Sequence, residues 1–170
     1  MTSNTTRDSE DPTVCYLLMR TDLPSLGRGK SQAHAMHAGN QLTYHLCVKP
    51  LMTGAEVDAR VTAWHEQGDG FGTTLSIGGA DEIDLERLRS LIDAATKCGH
   101  LSGLIIDDSY PYQVDDEIHS LIDPSRHTLL PKRGHDGWTC FRRETTGGWV
   151  LGRKSELDVL TGRFGLTPND

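Results

Sequence analysis

The sequence has no apolar run approaching the roughly 18 residues that a membrane helix needs, so no spanning segment is predicted. Its opening stretch, MTSNTTRDSEDPT, lacks the apolar centre of a secretory signal, and residues 1–12 read as a flexible tail ending at Pro12. There is no CxxC pair: Cys15, Cys47, Cys98 and Cys140 lie far apart, as expected of reduced core thiols and not of a disulfide framework or a zinc site. Reduced thiols point to a cytoplasmic setting. An excess of positive charge is missing too. The net charge of −7 argues against a generic nucleic-acid coat protein. The charge is unevenly spread, with ten acids against three bases from Asp81 to Glu117 and eight bases against four acids from Arg126 to Arg163. Joined by Arg20, Arg28 and Lys30, that second set would make a basic surface on an otherwise acidic protein. A mixed, solvated surface is the alternative.

What is present suits one globular domain. The 170 residues are 36% hydrophobic and 24% charged, enough for a sizeable core. No internal repeat or low-complexity block interrupts them. Cys15–Arg20 reads as a buried strand, and Gly29 to about Cys47 as a helix ended by Pro50. Gly54–Gln67 reads as a second helix with Gly68 as its stop, and Phe71–Ile77 as a strand closed by Gly78-Gly79. Asp84–Cys98 is the clearest amphipathic helix, its stripe formed by Leu85, Leu88, Leu91, Ile92 and Ala95, with Gly99 as the stop. Leu101–Asp107 is an apolar strand ending in paired aspartates. From Asp115 to Gly137 no clean period is visible, and Pro124, Pro131 and Gly134 suggest a long excursion. Trp138–Arg143 and Trp149–Leu151 read as strand pieces around a Thr-Gly-Gly turn. Ser155–Leu160 reads as a short helix and Arg163–Leu166 as a last strand segment. The expectation is an α/β domain, a mixed β-sheet flanked by helices in three layers.

The stretch LGRGKSQAHAMHA, Leu26–Ala38, joins a strand to a helix through glycines and a lysine. A nucleotide phosphate loop has that layout but needs GxxxxGK[ST], whose amides wrap a phosphate. Its first glycine would fall at position 24, which is Pro24, lacking an amide hydrogen and fixed in φ. The Asp107-Asp108 pair resembles the acidic strand end of such enzymes, but the wrap fails. What survives is local: Gly27 and Gly29 allow a sharp turn, and Lys30 stands at a helix start that favours anions. A structural role for Lys30, paired with Asp22, is the plainer alternative.

RTDL, a glycine-rich link, GK and a histidine-alanine pair on the following helix together resemble the type-2 peptidyl-tRNA hydrolase family. Arg20, Asp22, Leu23, Gly29, Lys30, Ala33, His37 and Ala38 stand at matching places. His34 replaces a usual glutamine, and Pro24-Ser25 lengthens the loop. A second match follows Leu104–Ile106, where DSYPYQV keeps Asp108, Gln113 and Val114 of the family's D-A-G-x-T-Q-[IV]. Here Tyr112 replaces the threonine, and Ser109-Tyr110-Pro111 the small linker. A third match is TGRFGL near the end. The resemblance covers most of 14–166, with an insertion around 115–137, and places a peptidyl-tRNA hydrolase-like domain over 13–170.

The resemblance implies hydrolysis of the ester joining a peptide to the terminal ribose of tRNA, with tRNA as partner and the homodimer left open. Lys30 would face a developing oxyanion or a phosphate, and His37, nearly two turns on, would relay a proton. Asp108 would orient water or hold Lys30, while Tyr112 would hydrogen-bond in place of threonine from several ångströms further out. Arg20, Asp22, Arg28, His34 and Gln113 would contact substrate. Each has a plainer alternative: His37 as a core histidine, Asp107 and Asp108 as turn caps. Tyr110, Tyr112 and Trp138 could stack on the terminal adenine or pack in the core. His34 and His37 could share a metal, but no further ligand is implied, so no metal or other cofactor is expected. A non-catalytic tRNA- or protein-binding module on the same scaffold is the second reading, favoured by Tyr112 and the altered linker.

Overall fold

Alternate residues of the first strand, β1 (Thr13–Met19), part into two separate cores. Val14, Tyr16 and Leu18 join Leu88, Leu91 and Ala95 of α4 (Leu85–Lys97) and Leu157 and Leu160 of α6 (Lys154–Gly162). Cys15 and Leu17 join Ala38 and Leu42 of α1 (Arg28–Thr43) and Val61 and Trp64 of α3 (Ala59–Glu66). Side chains alternate across a strand, so a strand covered on both faces must be apolar throughout. Each leucine fully buried there contributes about 1.5–3 kcal/mol. The computed structural model describes residues 11–23, 28–67, 70, 72–79, 82–126, 128–131 and 137–168.

Among the described residues six strands form one mixed sheet, and the protein is α/β with helices on both faces. The order is β3 (Leu101–Val114), β5 (Trp138–Arg153), β1, β2 (Thr73–Gly79), β6 (Leu166–Pro168). Only β1 and β2 run parallel. β3 pairs with β5 along nearly its whole length. On the other edge of β5, β1 takes Gly147–Arg153 and β4 (Thr128–Pro131) takes Trp138–Phe141. The β3–β5 ribbon therefore runs on past the end of β1. No described helix is long and apolar enough to cross a membrane.

The amphipathic helix forms where its period places it. Asp84 caps α4 by accepting from Arg87 N at 2.8 Å, and Gly99 ends it at φ 82°. Other boundaries differ from the sequence reading. Pro50 does not end the first helix. α1 passes into a π-helical turn, Tyr44–Val48, then α2 (Lys49–Thr53), with Pro50 in the first turn of α2. In an α-turn the proline ring would strike the carbonyl four residues back; the wider π-turn before it gives room. The exit comes at Gly54, φ 71°. The second helix starts only at Ala59, because Asp58 accepts from Arg60 N at 2.9 Å and caps it there.

Gly78 and Gly79 are the last two residues of β2, inside the strand and not beyond it. β3 continues through Asp107-Asp108 to Val114, and the 115–137 excursion holds α5 (Asp116–Leu121) and β4. No Thr-Gly-Gly turn splits β5. A Cβ on Gly147 would lie 2.5 Å from Leu18 O, and one on Gly148 2.9 Å from Ile92 Cδ1, so these glycines permit close packing inside a continuous strand. The last strand starts at Leu166, after the turn at Arg163–Gly165.

Residues 1–10 of the expected tail, the loop 24–27 with Pro24 and Gly27, and Gly68, Phe71 and Gly134 lie outside the described residues. Asp11 and Pro12 are held in place. Asp11 accepts from Ser155 N at 2.7 Å and Ser155 Oγ at 2.8 Å, while Pro12 O accepts from Lys154 N at 2.9 Å. These bonds satisfy amides at the start of α6, and the Ser155 amide holds the Asp11 carboxyl below its usual pKa. The thiols also differ from a uniform core set: Cys15 and Cys140 are buried, Cys47 is half-buried and Cys98 is exposed.

Candidate functional site

Two register shifts build the site. Ile105 pairs with Gly147 but Ile106 with Thr145, leaving Thr146 as an extra residue on β5. Asp107 then pairs with Glu144 and Tyr110 with Arg142, which leaves the extra residue on β3, at Asp108-Ser109. Bulges bend a strand and re-aim its side chains. Asp107 Oδ1 accepts from Ser109 N at 2.8 Å, tightening the second one. Asp108 is thus at a bulge inside a strand and not at a strand end. Above it lies α1, tied down by Gln41 Nε2, which donates to Ile106 O at 3.1 Å.

Between them is a polar cleft of about 320 Å³, lined by His37, Asn40 and Gln41 from α1 and Ile106–Ser109 from β3. His37 and Asp108, both expected in the site, share it. His34 is buried one turn before His37, its Nε2 3.7 Å from Asp107 Oδ2. The His34 ring centroid lies 6.1 Å from that of His37 and 5.8 Å from that of Tyr110. His34 therefore links the cleft wall to the core. Among the described residues no three His, Cys, Asp or Glu side chains converge as metal ligands. Asp108 is exposed and lies 3.3 Å from Arg143 Nε, a solvated ion pair of little energetic weight.

Arg20 is placed differently from expectation. Its guanidinium is buried, with Nε and Nη2 donating to Asp22 at 2.8 and 2.6 Å. Its Nη1 donates to Glu144 Oε1 at 2.6 Å and to Thr145 O at 2.9 Å. These bonds engage the guanidinium in structure, and its hydrogen bonds hold the Asp22 carboxyl below its ordinary pKa. Arg20 and Asp22 thus form a clamp that fixes the bulged β5 to the end of β1. Glu144 extends it, accepting from Arg142 Nη2 at 2.6 Å, and Arg142 Cζ sits 4.7 Å over the Tyr112 ring.

Tyr112 and Gln113 do not line the cleft. They lie beyond the second bulge, in the β3–β5 ribbon. Burial, then hydrogen bonding to Cys140 across the ladder, pushes the Tyr112 phenol up to about 12, so it is a protonated donor at neutral pH. Gln113 Nε2 donates to Thr139 Oγ1 at 3.1 Å. Tyr110 is fully buried, which excludes it from stacking on a nucleobase. One face of Trp138 is covered by His119, ring centroids 4.0 Å apart, and its Nε1 donates to Asp116 at 3.0 Å. Lys30 lies in the first turn of α1; its side chain and that of Arg28 lie outside the described ones.

Asn40, Gln41, Asp107 and Ser109 complete the cleft without having been singled out as site residues. Asn40 and Gln41 follow His37 at i+3 and i+4, so helical spacing alone places them beside it. Glu144 carries no such signal, since only the sheet register brings it to Arg20. Comparison with family models, curated proteins and solved structures finds no match to this chain.

Proposed function

We propose that the protein hydrolyses the ester bond of peptidyl-tRNA or an N-blocked aminoacyl-tRNA, on a domain like that of the type-2 peptidyl-tRNA hydrolases. The observation carrying this reading is that His37 and Asp108, from distant motifs, line one polar cleft together with Asn40. In the mechanism, a water held by the Asp107 and Asp108 carboxylates gives its proton to His37 as its oxygen attacks the ester carbon. The carbonyl oxygen gains negative charge, which the Asn40 amide and the Lys30 ammonium stabilise. The C–O bond then breaks, and the ribose hydroxyl leaves with the proton that His37 returns. Arg143, exposed beside Asp108, and the other cations of β5 meet tRNA phosphates. The reading includes a cytoplasmic setting. The exposed apolar side chains of Tyr44, Leu51 and Met52 support a homodimer.

A tRNA-binding module without hydrolysis is the second reading. It is favoured by Tyr112, which lies under Arg142 and outside the cleft instead of supplying a hydroxyl to it. Incubation with N-blocked aminoacyl-tRNA and measurement of freed tRNA separates the two. Release that depends on His37 supports the hydrolase; saturable binding without release replaces it with the module.

A further inference from the structure

A second cleft, of about 550 Å³, lies at the other end of α1 and contains a thiol and an imidazole in contact. Cys47 stands in the π-helical turn, and its Sγ is 3.7 Å from His65 Nε2 in α3. His65 Nδ1 is 3.2 Å from Gly70 O. A carbonyl oxygen only accepts, so Nδ1 carries the hydrogen, and in the neutral ring Nε2 is left as an acceptor facing the thiol. A nucleophile, a base and a group orienting the base therefore stand in series, the arrangement that activates hydroxyl and thiol nucleophiles. Val57 and Val61 make a largely apolar wall, with Glu66 as the acidic group on the lining. π-turns recur at functional sites because they displace one side chain from the regular helical path.

We propose that Cys47 and His65 form a nucleophilic thiol site that accepts small, uncharged apolar acyl groups from activated esters. Sγ attacks the ester carbonyl carbon while its proton passes to His65 Nε2. An S–C bond forms, the C–O bond breaks, and the proton leaves with the alcohol or phenol. The product is an acyl thioester on Cys47, with no change of oxidation state. Burial raises the pKa of the Cys47 thiol, so the thiol is protonated at rest and needs the base. The apolar wall receives the acyl chain, while Glu66 repels an anionic one. This site is separate from the His37 cleft and does not depend on it.

The test uses the whole protein with p-nitrophenyl butyrate, following nitrophenolate release and mapping the acylated peptide by mass spectrometry. Exposed Cys98 is the internal reference. Expected is acylation of Cys47 at least about tenfold faster than of Cys98, abolished in C47A. The H65Q variant should slow Cys47 acylation about 10²-fold at pH 7, with the gap narrowing as rising pH ionises the thiol unaided. Butyryl transfer should exceed transfer from the corresponding charged succinyl ester. Acylation of Cys98 as fast as Cys47 in the wild-type protein, or an unchanged rate in H65Q, overturns the site. A preference for the charged ester overturns its ligand class.

Discussion

Arg20 and Glu144, at the end of β1 and in the bulged middle of β5, are joined by an ion pair of 2.6 Å, with side-chain exposures of 8% and 11%. A pair this well covered is held by its hydrogen bonds as much as by its charge, and it becomes a liability when one member is removed.

Arg20→Met should therefore cost about 3–5 kcal/mol, because Glu144 is left buried with Arg142 as the one cation to meet it among the described residues. Urea unfolding of the two proteins checks this. An effect below about 1 kcal/mol would mean that Arg20 is free to serve a ligand.

Lys30→Ala should lower peptidyl-tRNA hydrolysis about 10²–10³-fold, the usual effect of losing one oxyanion donor. His37→Gln should lower it about 10²–10⁴-fold. The His37→Gln protein should melt within a few degrees of the parent, since His37 is exposed. Undiminished turnover in both variants would move the chemistry elsewhere.

Asp58 gives a pH signature. Its carboxyl is lowered to about 2, chiefly by hydrogen bonding to the Arg60 side chain. The folded value lies below the unfolded 3.8, so its contribution is complete above about pH 4 and fades as pH falls towards 2. Asp58→Ala should cost about 1 kcal/mol at pH 7, the usual worth of a helix cap, and less at pH 2.5. Asp58→Asn keeps the cap and should lose most of that pH dependence. Unfolding titrations of the three proteins at both pH values decide it.

Two glycine substitutions should act in opposite directions. Gly147→Ala places a methyl 2.5 Å from the Leu18 backbone carbonyl, which cannot swing aside as a side chain can. Overpacking of that kind costs about 1–3 kcal/mol. Gly39→Ala, in α1 with nothing within 4 Å, should add about 0.5–1 kcal/mol through helix propensity. Denaturation midpoints measured with equal m-values test both.

What was legible in the sequence was local. β1 is apolar because both its faces are covered, and α4 shows a period of 3.6 with a cap at each end, so both stand where the residue pattern puts them. The pairing of His37 with its neighbours Asn40 and Gln41 is likewise a matter of helical spacing. The rest of β3 was hidden because DDSYPYQV mixes acids, aromatics and proline. No period of two survives a bulge, and only the ladder to β5 makes it a strand.

The sequence alone thus determined the α/β alternation, the lack of a membrane-spanning run and the helix carrying Lys30, His34 and His37, because capping and periodicity involve neighbours within a turn. Tertiary structure decided that Arg20 would clamp β5 to the end of β1, that Asp108 would share a cleft with His37, and that Tyr112 would lie under Arg142. It also brought Cys47 to His65. Each of those contacts joins residues distant in the chain, and the sheet register or the helix packing that sets them is a property of the whole fold.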